Sequence, residues 1–264
     1  GRYATLIGFE GNQSIWGPGK IGNAIRFDGV NDYATVPATL GSNFTVCLWI
    51  KTTSNDGNAS SNHWNNAVGL VAGPLNKQAL ILRDGKFGLW SGTTDHFRGI
   101  TYTKVNNGSW VHLTASRDHD HSDRGWMKIY INGNPDQNIY KQNSNHNTGS
   151  ILHLGKTPES TLFFDGLMDE FFVFNRSLAN NEIKSLYDRG LRGLNFDNYG
   201  FEANTSESNA TLAFQNSLVT NITFDESNST QHAMDASGNG RYATLIGFEG
   251  NQSIWGPGKI GNAI

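Results

Sequence analysis

Carboxylates come first among the residues able to do chemistry, because glycoside hydrolysis and most general acid–base work need two of them a fixed distance apart. Asp165 and Asp169 are four residues apart in what the pattern makes one strand with its preceding loop. Asp169 and Glu170 are consecutive, so on a strand they should point to opposite faces. Neither is a good acid–base pair, and the expectation is that the chain is not an enzyme. Cys47 sits inside the apolar run Phe44–Ile50 and reads as a small buried hydrophobe rather than a nucleophile. No convincing His or Asn partner accompanies it, and no loop would cradle a phosphate. The stretch Asp118-His119-Asp120-His121-Ser122-Asp123 alternates carboxylate and imidazole. It could chelate a divalent ion if a turn folds these groups inward, or it is a solvated hairpin loop.

Binding is better provided for. Trp64, beside His63 in the polar loop Asn55–Asn66, has no strand to hide in, and such a ring can stack a sugar or pack over an edge. Trp90 and His96 on nearby loops are its companions. Trp49, Trp110 and Trp126 lie in strand-like runs and are expected in the core. Ten Asn-x-Ser/Thr sequons, at Asn12, Asn43, Asn58, Asn107, Asn175, Asn204, Asn209, Asn221, Asn228 and Asn251, point to an exported, N-glycosylated chain. Asn43 and Asn221 are less safe sites because they fall within strands. The formal net charge is −3 and charged residues make up 16%, so no basic face is available for nucleic acid or an anionic membrane. No apolar run is long enough to span a bilayer as a helix.

These residues must be positioned by short β-branched and aromatic runs that recur every eight to twelve residues between Gly, Asn and Asp clusters, the pattern of an all-β sandwich or barrel. Asp84-Gly85 and Asn132-Gly133 read as hairpin turns. Only Ala179–Tyr187 reads as helix, with Gly190 placed to end it and no Ser/Thr to cap its start. Residues 191–215 read as a linker, with Ala210–Phe214 a possible extra strand, and strand character returns at Leu218–Phe224. The block Gly1–Ile25 recurs letter for letter as Gly240–Ile264, so the chain reads as one repeat plus the start of another.

Across the repeat boundary, Leu218–Glu226, Asp235-Ala-Ser-Gly238-Asn239-Gly240 and Trp255-Gly-Pro-Gly258-Lys259-Ile-Gly261 resemble the opening of laminin-G-like, concanavalin-A-like jelly rolls. Phe27-Asp28-Gly29-Val-Asn31-Asp32-Tyr33, Phe44–Trp49, Trp110-Val-His112 with Ile129–Gly133, and Phe164–Glu170 with Glu182–Tyr187 continue the resemblance in order. It implies a two-sheet antiparallel jelly-roll sandwich with six or seven strands in each sheet and one short helix. Related glycosidases carry Glu-x-Asp-x-Glu on one strand, and that triplet is missing here. The resemblance also implies a structural Ca²⁺ held by Asp225 and Asp169, although Asp169 could equally bond backbone amides.

Two functions follow as expectations. One is an extracellular structural repeat of a surface filament or giant adhesin, joined head to tail to copies of itself. The other is a lectin-like module that binds surface glycans. The domain division reads as residues 1–190 for a jelly roll lacking its first strand, 191–215 for the linker and 216–264 for the start of the next unit. Leu218–Phe224 is therefore expected to leave its own sandwich and close the following one.

Overall fold

The computed structural model describes residues 5–7, 16–55, 66–73, 78–91, 99–120, 124–140, 149–158, 160–194, 208–224, 232–234, 237 and 242–245. At Asp84-Gly85 and Asn132-Gly133, both residues take positive φ, 50° and 70° in the first pair and 52° and 74° in the second. That is the turn geometry whose twist matches paired strands, and each turn joins neighbouring strands as the sequence predicts. Numbered in chain order, one sheet of nine strands runs β16 (His232–Met234), β17 (Tyr242–Leu245), β1 (Thr5–Ile7), β4 (Tyr33–Val36), β13 (Leu152–Leu154), β6 (Val68–Ala72), β7 (Gln78–Arg83), β8 (Lys86–Ser91), β9 (Gly99–Lys104). The other runs β12 (Asn134–Tyr140), β11 (Arg124–Ile131), β10 (Val111–Asp120), β5 (Phe44–Lys51), β14 (Asp165–Phe174), β3 (Asn23–Asp28), β2 (Trp16–Pro18), and β15 (Leu218–Ile222) lies beside the second half of β14.

Alternation decides the core. Ala34 and Val36 of β4 and Phe44, Val46, Leu48 and Ile50 of β5 face the space between the sheets, as period-two patterning requires, whereas β14 sends Met168, Phe171 and Val173 there across a register irregularity. The outer face of the eight-stranded sheet is apolar as well, with Cys47, Tyr130, Phe172 and Phe174 packed against Leu178, Ile183, Leu186, Phe214 and Leu218. Helix α1 (Asn180–Leu191) is one roof over this face. Its start is held without a Ser/Thr cap, because the Ala179 N–H donates to the Glu182 carboxylate at 2.8 Å and Arg176 forks onto the same carboxylate at 2.8 and 2.6 Å. Gly190 does not end the helix. It lies within it, where a Cβ would come to 2.6 Å from the Trp49 ring, so glycine is what lets the helix settle onto that indole.

Two expectations for the C-terminal third are overturned. Residues Ser208–Ser217 form helix α2 rather than linker or strand, and its Phe214 ring meets that of Phe174 at 5.1 Å. Leu218–Phe224 does not leave its own sandwich. Strand β15 pairs antiparallel with Phe171–Phe174 of the same chain, so β3 and β15 share one side of β14 end to end. The physical reason is burial: Leu218, Ile222 and Phe224 all find apolar cover in this chain, which offsets the cost of closing the loop. The repeated block is accommodated differently from either alternative. Strand β17 lies parallel to β1, with Thr244 level with Thr5 and Leu245 with Leu6, so identical residues stand side by side.

Candidate functional site

On the outer face of the nine-stranded sheet, register aligns Thr35, His153, Ala72, Ala79 and Trp90 in one row across β4, β13, β6, β7 and β8. The row changes character along its length. Ala72, Ala79, Ile81 and Trp90 form a small buried cluster, so Trp90 is packed there and offers no open ring. At the other end Tyr33, His153, Lys156 and Phe163 are half-buried. The Lys156 ammonium lies 4.8 Å from the Tyr33 ring centroid and 4.9 Å from that of Phe163. The His153 and Tyr33 rings are 5.7 Å apart, and a backbone bridge between Lys156 and Phe163 ties the two arms of the connecting loop. Burial, and then the Lys156 charge, lowers the His153 pKa; burial likewise lowers that of Lys156. The Nδ1 of His153 is enclosed with no hydrogen-bond partner among the described residues. Two part-open rings beside a cation can stack a sugar ring and bond its hydroxyls.

The other residues singled out by type fall as follows. His63, Trp64, His96 and Asp225 lie outside the described residues, as do Asn12, Asn58, Asn204, Asn228 and Asn251. Asn43, Asn107 and Asn175 are exposed, whereas Asn221 is 0% exposed within β15, which excludes a glycan there. Asn209 belongs to α2. Trp49 is buried as expected, but Trp126 is 49% exposed, because its neighbours Met127 and Ile129 take the inward positions. Asp118, His119 and Asp120 are not a loop but the end of β10, paired with Trp126, Gly125 and Arg124. Successive strand residues face opposite ways, so Asp118 and His119 cannot converge on one ion.

The helix-roofed face carries Cys47 and Glu170, with Asp169 beside them. The motif Gly17-Pro18-Gly19-Lys20-Ile21-Gly22 closes on itself through Gly19 N–H to Gly22 O at 2.9 Å. This aims the Lys20 and Ile21 N–H groups at one oxygen of Asp169, at 2.7 and 3.0 Å. The other oxygen accepts the Glu170 N–H at 2.8 Å. Asp169 is thus a fully buried anchor for this loop. Among the described residues no group of three or more His, Cys, Asp or Glu is placed to hold a metal. Glu170 takes φ +50° at a register irregularity between β14 and β5, and both it and Asp169 are buried, so the expected alternation of the two is broken by a bulge. Asp165 and Asp169 are about 13 Å apart along the strand, beyond the roughly 5–9.5 Å of glycosidase carboxylates. Burial holds His112 neutral, its pKa lowered to about 3, and burial pushes the Cys47 thiol up, with Glu170 adding to the shift.

This architecture agrees with the sequence comparisons. A family model described as the concanavalin A-like lectin/glucanases superfamily matches residues 28–184, more than half of the chain. The chain belongs to this superfamily. No curated protein matches the sequence at a significant level. Among solved structures, the chain is similar to domain 4 of AbnA, a GH43 extracellular arabinanase from Geobacillus stearothermophilus, in complex with arabinotriose. That match has a TM-score of 0.54 and 23% identity over 70% of this chain and 87% of that one. It is also similar to a candidate carbohydrate-binding protein from Bacteroides ovatus, with a TM-score of 0.52 and 16% identity over 87% of this chain and 61% of that one. These likenesses establish the concanavalin A-like sandwich. Among the described residues, no helix is long and apolar enough to cross a membrane.

Tyr33, His153, Lys156 and Phe163 were not singled out from sequence. Tyr33 and His153 carried a signal, since Ala34 with Val36, and Leu152 with Leu154, must face the core and so turn them outward. Lys156 and Phe163 carried none, because they meet through a loop bridge.

Proposed function

We propose that this superfamily member is a non-catalytic, extracellular carbohydrate-binding module. The observation that carries the reading is the half-open cluster of Tyr33, Phe163, Lys156 and His153 on the outer face of the nine-stranded sheet. A pyranose or furanose ring would lie against Tyr33 and Phe163, with a hydroxyl bonding the Lys156 ammonium. The arabinotriose named for one structural relative, the carbohydrate binding named for the other, and the sequons that point to export support the same reading. The test is a glycan array with the intact chain, followed by titration of the best hit. Tyr33→Ala should weaken binding about tenfold, roughly the 1.4 kcal/mol of a lost stacking contact. An array with no hit, or a hit that Tyr33→Ala leaves unchanged, rejects the assignment.

The verbatim return of the 25-residue block favours a second reading, a structural repeat of a surface filament or adhesin in which each unit joins the next. Tandem presentation and glycan binding are compatible, because linked weak sites gain avidity. An unfilled sheet edge no longer argues for joining through Leu218–Phe224, since β15 fills that place within the chain. A structural Ca²⁺ on Asp225 remains part of this proposal only if chelation lowers the thermal midpoint.

A further inference from the structure

The two copies of the repeated block compete for a single place in the sheet. Strand β1 occupies it, pairing antiparallel with β4 through Thr5–Thr35, Leu6–Ala34 and Ile7–Tyr33. Strand β17 stands one position farther out, parallel to β1, with Thr244 level with Thr5 and Leu245 level with Leu6. Because β17 is parallel to β1, it already runs antiparallel to β4, the direction the place requires. Its Thr244 and Leu245 repeat Thr5 and Leu6, so the pairings that these two make with Thr35 and Ala34 are available to β17 in the same register. The displacement needed is one strand spacing, about 4.8 Å. Strand β16 pairs antiparallel with β17, so the two can make this short shift together as a hairpin. Strand β15, locked against β14, keeps the second copy close.

We propose that the edge of β4 is a socket for the repeated block, and that β17 of the same chain exchanges with β1 in it. The occupant is fixed by sequence identity rather than by general stickiness, since a strand of other sequence would not put Thr and Leu level with Thr35 and Ala34. The inference is independent of any glycan.

Cysteine trapping tests it on the full chain. With Thr5→Cys and Thr35→Cys, the paired positions are directly opposite, at a Cα separation of about 4.5–5.5 Å, and a disulfide should close under mild oxidation. With Thr35→Cys and Thr244→Cys, the positions are two strands apart while β1 stays in place, about 9–10 Å, too far to bridge. Exchange predicts that this second pair also closes within the monomer, more slowly than the first. Adding Leu6→Pro, which removes a ladder donor from β1, should speed its closure severalfold. Cys47 is buried and does not compete. If the Thr35→Cys, Thr244→Cys protein stays reduced in both backgrounds while the first pair closes, the exchange does not occur. Disulfide-linked dimers in place of closed monomers would mean that another molecule supplies the strand, which also overturns exchange within the chain. Failure of the first pair would remove the socket itself.

Discussion

Replacing Asp169 with alanine should cost about 3–5 kcal/mol of stability. The side chain is fully buried and its two oxygens accept three backbone N–H groups, from Lys20 at 2.7 Å, Ile21 at 3.0 Å and Glu170 at 2.8 Å. Alanine leaves the Lys20 and Ile21 donors without this acceptor, at roughly 1–3 kcal/mol each, and opens a small void besides. Asp169→Asn should cost less, about 1–2 kcal/mol, because a single amide oxygen turned toward Lys20 and Ile21 keeps the two long-range bonds. Urea melts give both values from shifts in midpoint at unchanged slope, and hydrogen exchange should speed up at the Lys20 and Ile21 amides first. The same variants bear on calcium. If Asp169 were a calcium ligand, a chelator would lower the midpoint of the natural protein and not that of Asp169→Ala; the anchor role predicts no chelator effect routed through Asp169. A cost below about 1 kcal/mol for Asp169→Ala, or equal costs for the two substitutions, would refute the reasoning.

Asp32 should make stability fall as pH rises. Burial, and then the Asp28 charge, raises its pKa to about 7 from 3.8, so between these values the folded chain binds a proton that the unfolded chain has released. Linkage makes a shift of that size worth about 4 kcal/mol at most, and with solvent screening stability should decline by roughly 1–2 kcal/mol from about pH 4 to pH 7 and level off above. Asp32→Asn should flatten that slope in melts across the range. Phe214→Ala should cost about 3–5 kcal/mol and loosen α2 and β15 from the sheet, seen as lost exchange protection at Thr220–Ile222 while β5 stays protected. In native material, mass analysis should find sugar on exposed Asn107 and none on buried Asn221.

The hairpins were legible in the sequence because Asp84-Gly85 and Asn132-Gly133 encode a backbone conformation that few other pairs adopt, a purely local matter. The sandwich was legible because alternation in runs such as Phe44–Ile50 fixes which residues share a face. The same arithmetic could have turned Trp126 outward, since Met127 and Ile129 claim the core. Helix α2 was not legible: Ser208–Ser217 has no marked apolar face, and what holds it is Phe214 against Phe174, a contact made across the fold. Nor could the sequence say whose edge Leu218–Ile222 would join, because a strand's pattern specifies a face and a register but not a partner. The tertiary structure chose Phe171–Phe174 of the same chain. The candidate sugar site shows the same division. Tyr33 and His153 owe their orientation to alternation within their own strands, whereas Lys156 and Phe163 reach them only because the loop between β13 and β14 folds back over the sheet. The repeat fixed that two identical stretches exist, and the pairing of β1 with β4 decided that β17 stands beside β1 rather than in its place.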